Sequence, residues 1–75
     1  MNLNEEIIKT IKSNIEKDMI ITPETALEEL ELDSFGIIIL VDAFEQKFNV
    51  LIKNEEFLEI KTIKDIIERI QNKVN

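Results

Sequence analysis

The sequence predicts an all-α fold, a small four-helix bundle of three longer helices and one short one. Two stripes of isoleucine set this expectation. Leu3, Ile7, Ile8, Ile11 and Ile15 recur at helical spacing near the start, and Ile63, Ile66, Ile67, Ile70 and Val74 repeat the pattern near the end. Between them lies an apolar run behind an N-cap residue type, and no pair of alternating stretches could build a sheet.

The chain has 75 residues, enough for a single domain spanning 1–75 and a modest core. Its formal charge of −7, from 16 acids against 9 bases, disfavours phosphate backbones, so DNA and RNA are not expected ligands. It has no cysteine, which removes disulfides, thiolate nucleophiles and zinc-thiolate sites. It has no histidine either, so the usual general base and the commonest metal ligand are missing. A binding or carrying role is therefore expected before catalysis, and no metal site. The amino terminus lacks the pattern of a signal peptide, and no apolar run approaches the roughly 18 residues of a membrane span. A cytoplasmic protein, monomeric, is the expectation.

The first helix is expected from about residue 3 to about residue 17, with Asn2 and Glu5 as a weak capping pair. Pro23 interrupts the following stretch and biases Thr22 toward extended backbone. Met19, Ile21, Leu27, Leu30 and Leu32 should pack this long connection along the bundle, with a helical turn within 25–30. The second helix should run from Ser34 to about Phe48, capped by Asp33. "NVLI" reads as an extended loop that plugs Val50 and Ile52 into the core, since a lone short strand is not stable. A short helix over 55–60 follows, with Asn54 as its cap. Thr62 and Asp65 form a capping pair for the last helix.

The second helix carries more apolar residues than one face can hide. At 100° per residue, Ile37, Val41, Phe44 and Phe48 share a core face with Leu40 at its margin. Phe35 and Ile39 fall on the opposite side with Asp42 and Gln46. Either these two form an outward grip, or they fold back onto the 18–33 connection as satellite core. Gly36, the only glycine, costs about 1 kcal/mol inside a helix relative to alanine, and close approach of a ligand or partner backbone would explain it.

Ser34 stands where the first turn offers unpaired N–H groups and a partial positive charge, a good place for a phosphoryl group attached to a side chain. Its neighbours in sequence include no base stronger than a carboxylate, so it suits modification by another enzyme better than self-activation.

"ELDSFGIIILVDAFEQKF" resembles the phosphopantetheine attachment segment of the acyl carrier protein family, in which Asp-Ser-Leu opens the second helix of a four-helix bundle. The resemblance runs ungapped from about Thr25 to the end of the last helix. It implies that Ser34 is the attachment serine for a 4'-phosphopantetheine arm drawn from coenzyme A, and that Asp33 helps a phosphopantetheinyl transferase engage. Phe35, Ile38, Ile39 and Asp42 would then lie on a recognition face. Glu45, Glu55 and Glu56 match positions where the family often keeps acids that meet basic docking surfaces. The function implied is a carrier of acyl thioesters for fatty acid or specialised metabolite biosynthesis, with no catalysis of its own.

The sequence departs from fatty acid carriers in having Leu30-Glu31-Leu32 where Leu-Gly-Xaa is usual, Ile39 where an acid is common, and Asp42 where an apolar residue is common. "LDSFG" looks closer to stand-alone carriers of specialised pathways and to D-alanyl carriers, and an aminoacyl or D-alanyl carrier loaded by an adenylating ligase is the alternative within the family. A small helical adaptor, gripping a partner through Phe35 and Ile39 without a prosthetic group, is the alternative from another class.

Overall fold

Residues 2–74 are described by the structure, a computed structural model. Helix α1 spans Leu3–Ser13, α2 Ser34–Phe48, α3 Asn54–Leu58 and α4 Ile63–Val74, with a 3-10 turn at Leu27–Leu30. Helix α1 packs against both α2 and α4. Ile7 and Ile11 of α1, Leu40 and Phe44 of α2, and Ile63, Ile66 and Ile70 of α4 are fully buried between them. Ile52 and Phe57 close the core from the α2–α4 connection, as Ile21 and Leu30 do from the α1–α2 connection. Among the described residues, no helix is long and apolar enough to cross a membrane.

Helix α1 is shorter than its stripe of isoleucines predicts. It ends at Ser13, with Asn14 as C-cap. Ser13 Oγ donates to the Lys9 carbonyl at 3.0 Å and Asn14 Nδ2 to the Thr10 carbonyl at 2.8 Å. These side chains satisfy carbonyls of the last turn and let the chain leave the helix. Ile15 still packs on the core, but from the connection.

The connection is held down by backbone hydrogen bonds. Leu27 N–H donates to the Lys61 carbonyl at 2.8 Å, Ile63 N–H to Thr25 at 2.9 Å and Lys64 N–H to Pro23 at 2.8 Å. The last two serve first-turn amides of α4, which have no acceptor within their own helix. An antiparallel bridge joins Ala26 and Thr62. Thr25 is buried, and its hydroxyl accepts the Thr22 N–H at 2.9 Å across the turn that Pro23 starts.

Of the four predicted caps, Asn2, Asp33 and the Thr62–Asp65 pair stand where expected, and Asn54 does not. Thr62 and Asp65 exchange bonds, Thr62 N–H to Asp65 Oδ2 at 3.1 Å and Asp65 N–H to Thr62 Oγ1 at 3.3 Å. The N–H groups of Lys61 and Thr62 hold the Asp65 carboxyl below its ordinary pKa. Helix α3 starts one residue early, at Asn54, and its N-cap is Lys53, not Asn54. The cap works in reverse, with Glu56 Oε2 accepting the Lys53 N–H at 3.0 Å. The same carboxylate pairs with Lys73 at 2.9 Å and Arg69 at 3.7 Å, so it fastens α3 to α4. Val74, expected on the α4 stripe, is exposed because the helix outruns the core at its last turn. Val50 and Ile52 plug the core as the extended-loop reading requires, and the Ile52 N–H is satisfied by Glu45 Oε2 at 2.9 Å.

The Lys53 N–H, and then Lys73, depress the Glu56 pKa below its ordinary value. A depressed folded-state pKa contributes stability that is present above the unfolded value and lost as pH falls through the folded one. Glu56→Gln is therefore expected to lower the urea midpoint at neutral pH. The difference from the wild type should shrink toward nothing as pH falls through the folded-state pKa, below which the carboxylate is protonated in both states. A difference independent of pH would contradict the charge-based account.

Candidate functional site

The start of α2 is built from Leu32, Asp33 and Gly36 around Ser34. Asp33 is the N-cap residue, in extended backbone, and its Oδ1 accepts the Gly36 N–H at 2.8 Å. Its own carbonyl takes the Ile37 N–H at 3.0 Å. The helical pattern leaves the amides of Ser34 and Phe35 without an intrahelical acceptor. Ser34 is exposed at the first position of the helix, at the positive end of a dipole fifteen residues long.

Gly36 has a reason within the chain itself. A Cβ placed there would lie 3.1 Å from Leu32 Cδ2 and 3.3 Å from the capping Asp33 Oδ1. The glycine thus lets Leu32 close over the first turn while the cap stays in place. No foreign backbone is needed to account for it.

Helix α2 is rotated from the orientation its pattern implies. Leu40, expected at the margin, is at the centre of the buried face with Phe44, while Ile37, Val41 and Phe48 only flank the core. At 100° per residue this is a turn of about 40° about the helix axis. The rotation moves Ile39 toward the α1–α2 connection and brings Ile38 outward. Phe35 is 69% exposed, Ile38 62% and Ile39 41%. The outward reading of Phe35 and Ile39 holds over the satellite-core reading. Ile38, which the helical wheel missed and only the resemblance named, is the third member of the patch. A wheel drawn on the buried residues Leu40 and Phe44 would have found it.

The other expected site residues separate into two groups. Asp42 is exposed on the patch side of α2 and accepts from Gln46 Nε2 at 2.9 Å. Glu55 is exposed on α3. Glu45 and Glu56 are half-buried and bonded within the chain, to Ile52 N–H and to Lys53, Lys73 and Arg69 respectively. A groove of about 690 Å³ opens beside the serine, between the connection and α2, with Ile15, Leu30, Leu32, Phe35 and Ile39 among its lining residues.

An exposed hydroxyl at a helix N-terminus, beside a glycine-relieved turn and apolar side chains, fits a covalently attached phosphodiester. The phosphate would sit near the unpaired first-turn amides, and the arm would have apolar surface to lie on or leave. When bound, 4'-phosphopantetheine supplies a thiol that holds cargo as a thioester. Asp33 fixes the helix start, and Ser34 is the exposed hydroxyl there.

Alanine at position 36 would gain about 1 kcal/mol of helix propensity in open space. Here the crowding against Leu32 should cancel much of it. In a double-mutant cycle, Gly36→Ala is expected to be more favourable in a Leu32→Ala background than in the wild type, by about 0.5 kcal/mol or more. Strict additivity in urea melts would mean that the close contact does not set the residue.

The family described as phosphopantetheine attachment site matches residues 5–70. An acyl carrier protein of Thermosynechococcus vestitus is 32% identical over 75 residues, covering 92% of this chain and 93% of the relative. An acyl carrier protein homolog of Mycoplasmopsis pulmonis is 38% identical over 69 residues, with 92% and 93% covered. The crystal structure of an acyl carrier protein from Thermotoga maritima superimposes with a TM-score of 0.78 at 30% identity, over 96% of this chain and 91% of that one. With a family match across most of its length and the same helical bundle, the chain belongs to the acyl carrier protein family, a carrier of 4'-phosphopantetheine and not a catalyst.

Proposed function

We propose that Ser34 bears the 4'-phosphopantetheine arm and that this carrier presents acyl thioesters to the enzymes of a biosynthetic pathway in the cytoplasm. The observation that carries the reading is the exposure of Ser34 at the first residue of α2, directly after the capping Asp33. In the transfer, Ser34 Oγ attacks the pantetheine-bearing phosphorus of coenzyme A. The pyrophosphate bond breaks, adenosine 3',5'-bisphosphate leaves, and the hydroxyl proton passes to a base of the phosphopantetheinyl transferase. The transferase has to supply that base, because the chain has no histidine or cysteine.

The carrier contributes reach and docking. A tethered cargo meets successive active sites as an intramolecular reactant, at an effective concentration set by the arm. Phe35, Ile38, Ile39 and Asp42 form the face that partners contact in this reading. Glu45 and Glu56 are left out of that face, since each already holds backbone or cations of its own chain.

Co-expression with a broad-specificity phosphopantetheinyl transferase is expected to add one phosphopantetheine to the intact mass of the wild type and none to Ser34→Ala. An unmodified wild type, or an equal gain in the variant, would refute the attachment at Ser34. Phe35→Ala should be modified more slowly while keeping its fold. A helical adaptor without a prosthetic group would instead retain partner binding in Ser34→Ala and lose it in Phe35→Ala.

A further inference from the structure

Among the described residues two have positive φ, Glu31 at 54° and Asn49 at 55°. Both end helical turns, Glu31 as C-cap of the 3-10 turn and Asn49 as C-cap of α2. Asparagine suits the left-handed region, where its short polar side chain can bond locally. Glutamate lacks that compensation for its crowded Cβ, so glycine or asparagine would cap the 3-10 turn at lower cost. The turn uses only the backbone of Glu31, whose N–H donates to the Glu28 carbonyl at 3.0 Å. A strained residue whose side chain the turn does not need points to another use for that side chain.

Pairing within the chain accounts for little of it. Lys17 Nζ lies 3.4 Å from Glu31 Oε1, longer than a charge-assisted hydrogen bond, and the two side chains remain 45% and 73% exposed. A pair so open to water contributes little. The residue stands instead where two openings meet. Glu31 and Leu32 line the groove beside Ser34, and both also line a second groove of about 600 Å³ that Leu27, Ile37 and Ile60 help to form. Glu31 precedes Ser34 by three residues, which places their Cα atoms within about 11 Å of each other. An arm attached at Ser34 therefore has Leu32 beside it and Glu31 within reach.

We propose that Glu31 is a positioning residue for the 4'-phosphopantetheine arm, its carboxylate accepting an amide N–H of the arm while the arm's geminal methyl groups rest on Leu32. The inference rests on Ser34 as the attachment site. The chemistry of the arm sets which part can be held. Its phosphodiester is an anion, repelled by the carboxylate and drawn to the first-turn amides of α2. Its amide N–H groups are donors, and an ionised carboxylate accepts from them more strongly than a neutral oxygen does. Leu32, which lies over the first turn against Gly36, supplies the apolar step between phosphate and amide. The arm is thereby biased toward the connection and away from open water.

The test uses protein loaded by a broad-specificity transferase from coenzyme A that is isotope-labelled at the pantetheine amide nitrogens, with proton magnetic resonance as the readout. One arm amide proton is expected downfield of its position in free coenzyme A, with cross-relaxation from the arm's methyl groups to Leu32. Glu31→Gly, which suits the left-handed backbone, should keep the fold and lose both signals. Glu31→Asn, tolerated in the same backbone but with a shorter, uncharged side chain, should lose them too if the glycine variant loosens the turn. Lys17→Gln should keep both, because it removes the ion pair and leaves the carboxylate. Arm amides that match free coenzyme A in the wild type, or signals unchanged in either Glu31 variant, would overturn the role of Glu31. Their loss in Lys17→Gln would overturn it as well, since bracing of the connection would then be the use of the residue. Each of these results leaves the attachment site standing, because loading is read separately as a gain in intact mass. A wild type that gains no mass would overturn both.

Discussion

The tethering of the α1–α2 connection to the start of α4 is the constraint on which the rest of this structure depends. Nineteen residues of mostly irregular chain between Asn14 and Leu32 would otherwise forfeit far more backbone entropy than their few apolar side chains could offset. The connection lends its carbonyls to α4 amides that lack helical acceptors, and in return is fixed at Pro23, Thr25 and Leu27. Ile21 and Leu30 are thereby held in the core, and Leu32 is delivered to the first turn of α2. The position from which Ser34 emerges follows from that placement.

Once Leu32 lies over the first turn, the local chemistry has little freedom. A side chain at position 36 would crowd both Leu32 and the capping carboxylate, and glycine spares them the shift of a few tenths of an ångström. The cap in turn fixes where α2 begins. The helix then turns Leu40 and Phe44 into the core, and the remaining apolar residues of the run have no interior left to occupy. Phe35, Ile38 and Ile39 remain at the surface as a consequence of packing.

Charge is distributed according to the same division of labour. Some acids fasten elements together, as Glu56 of α3 does through Lys53, Lys73 and Arg69, and Glu45 of α2 does through Ile52. Acids of the connection face water around the groove. A carrier that must be bound and released many times gains from this arrangement. Exposed charge speeds encounter without adding much to affinity, and a small apolar centre allows dissociation.

The sequence by itself determined the helical class, the four helices, the caps at Asp33 and at Thr62 with Asp65, and the exposed serine, because each rests on signals a few residues apart. The isoleucine spacing of α1 and α4 and the N-cap chemistry are local properties, legible wherever they occur. The tertiary structure alone decided the end of α1, the rotation of α2 and the reason for Gly36. In an apolar run from Phe35 to Val41 the periodicity carries no direction, so the buried face was chosen by what Leu40 and Phe44 could pack against. Likewise the roles of Glu45 and Glu56 depended on donors brought near only by folding, Ile52 N–H across a turn and Lys73 from α4. Spacing along the chain reports which residues can share a face, whereas competition among faces for one small core settles which of them remain in water.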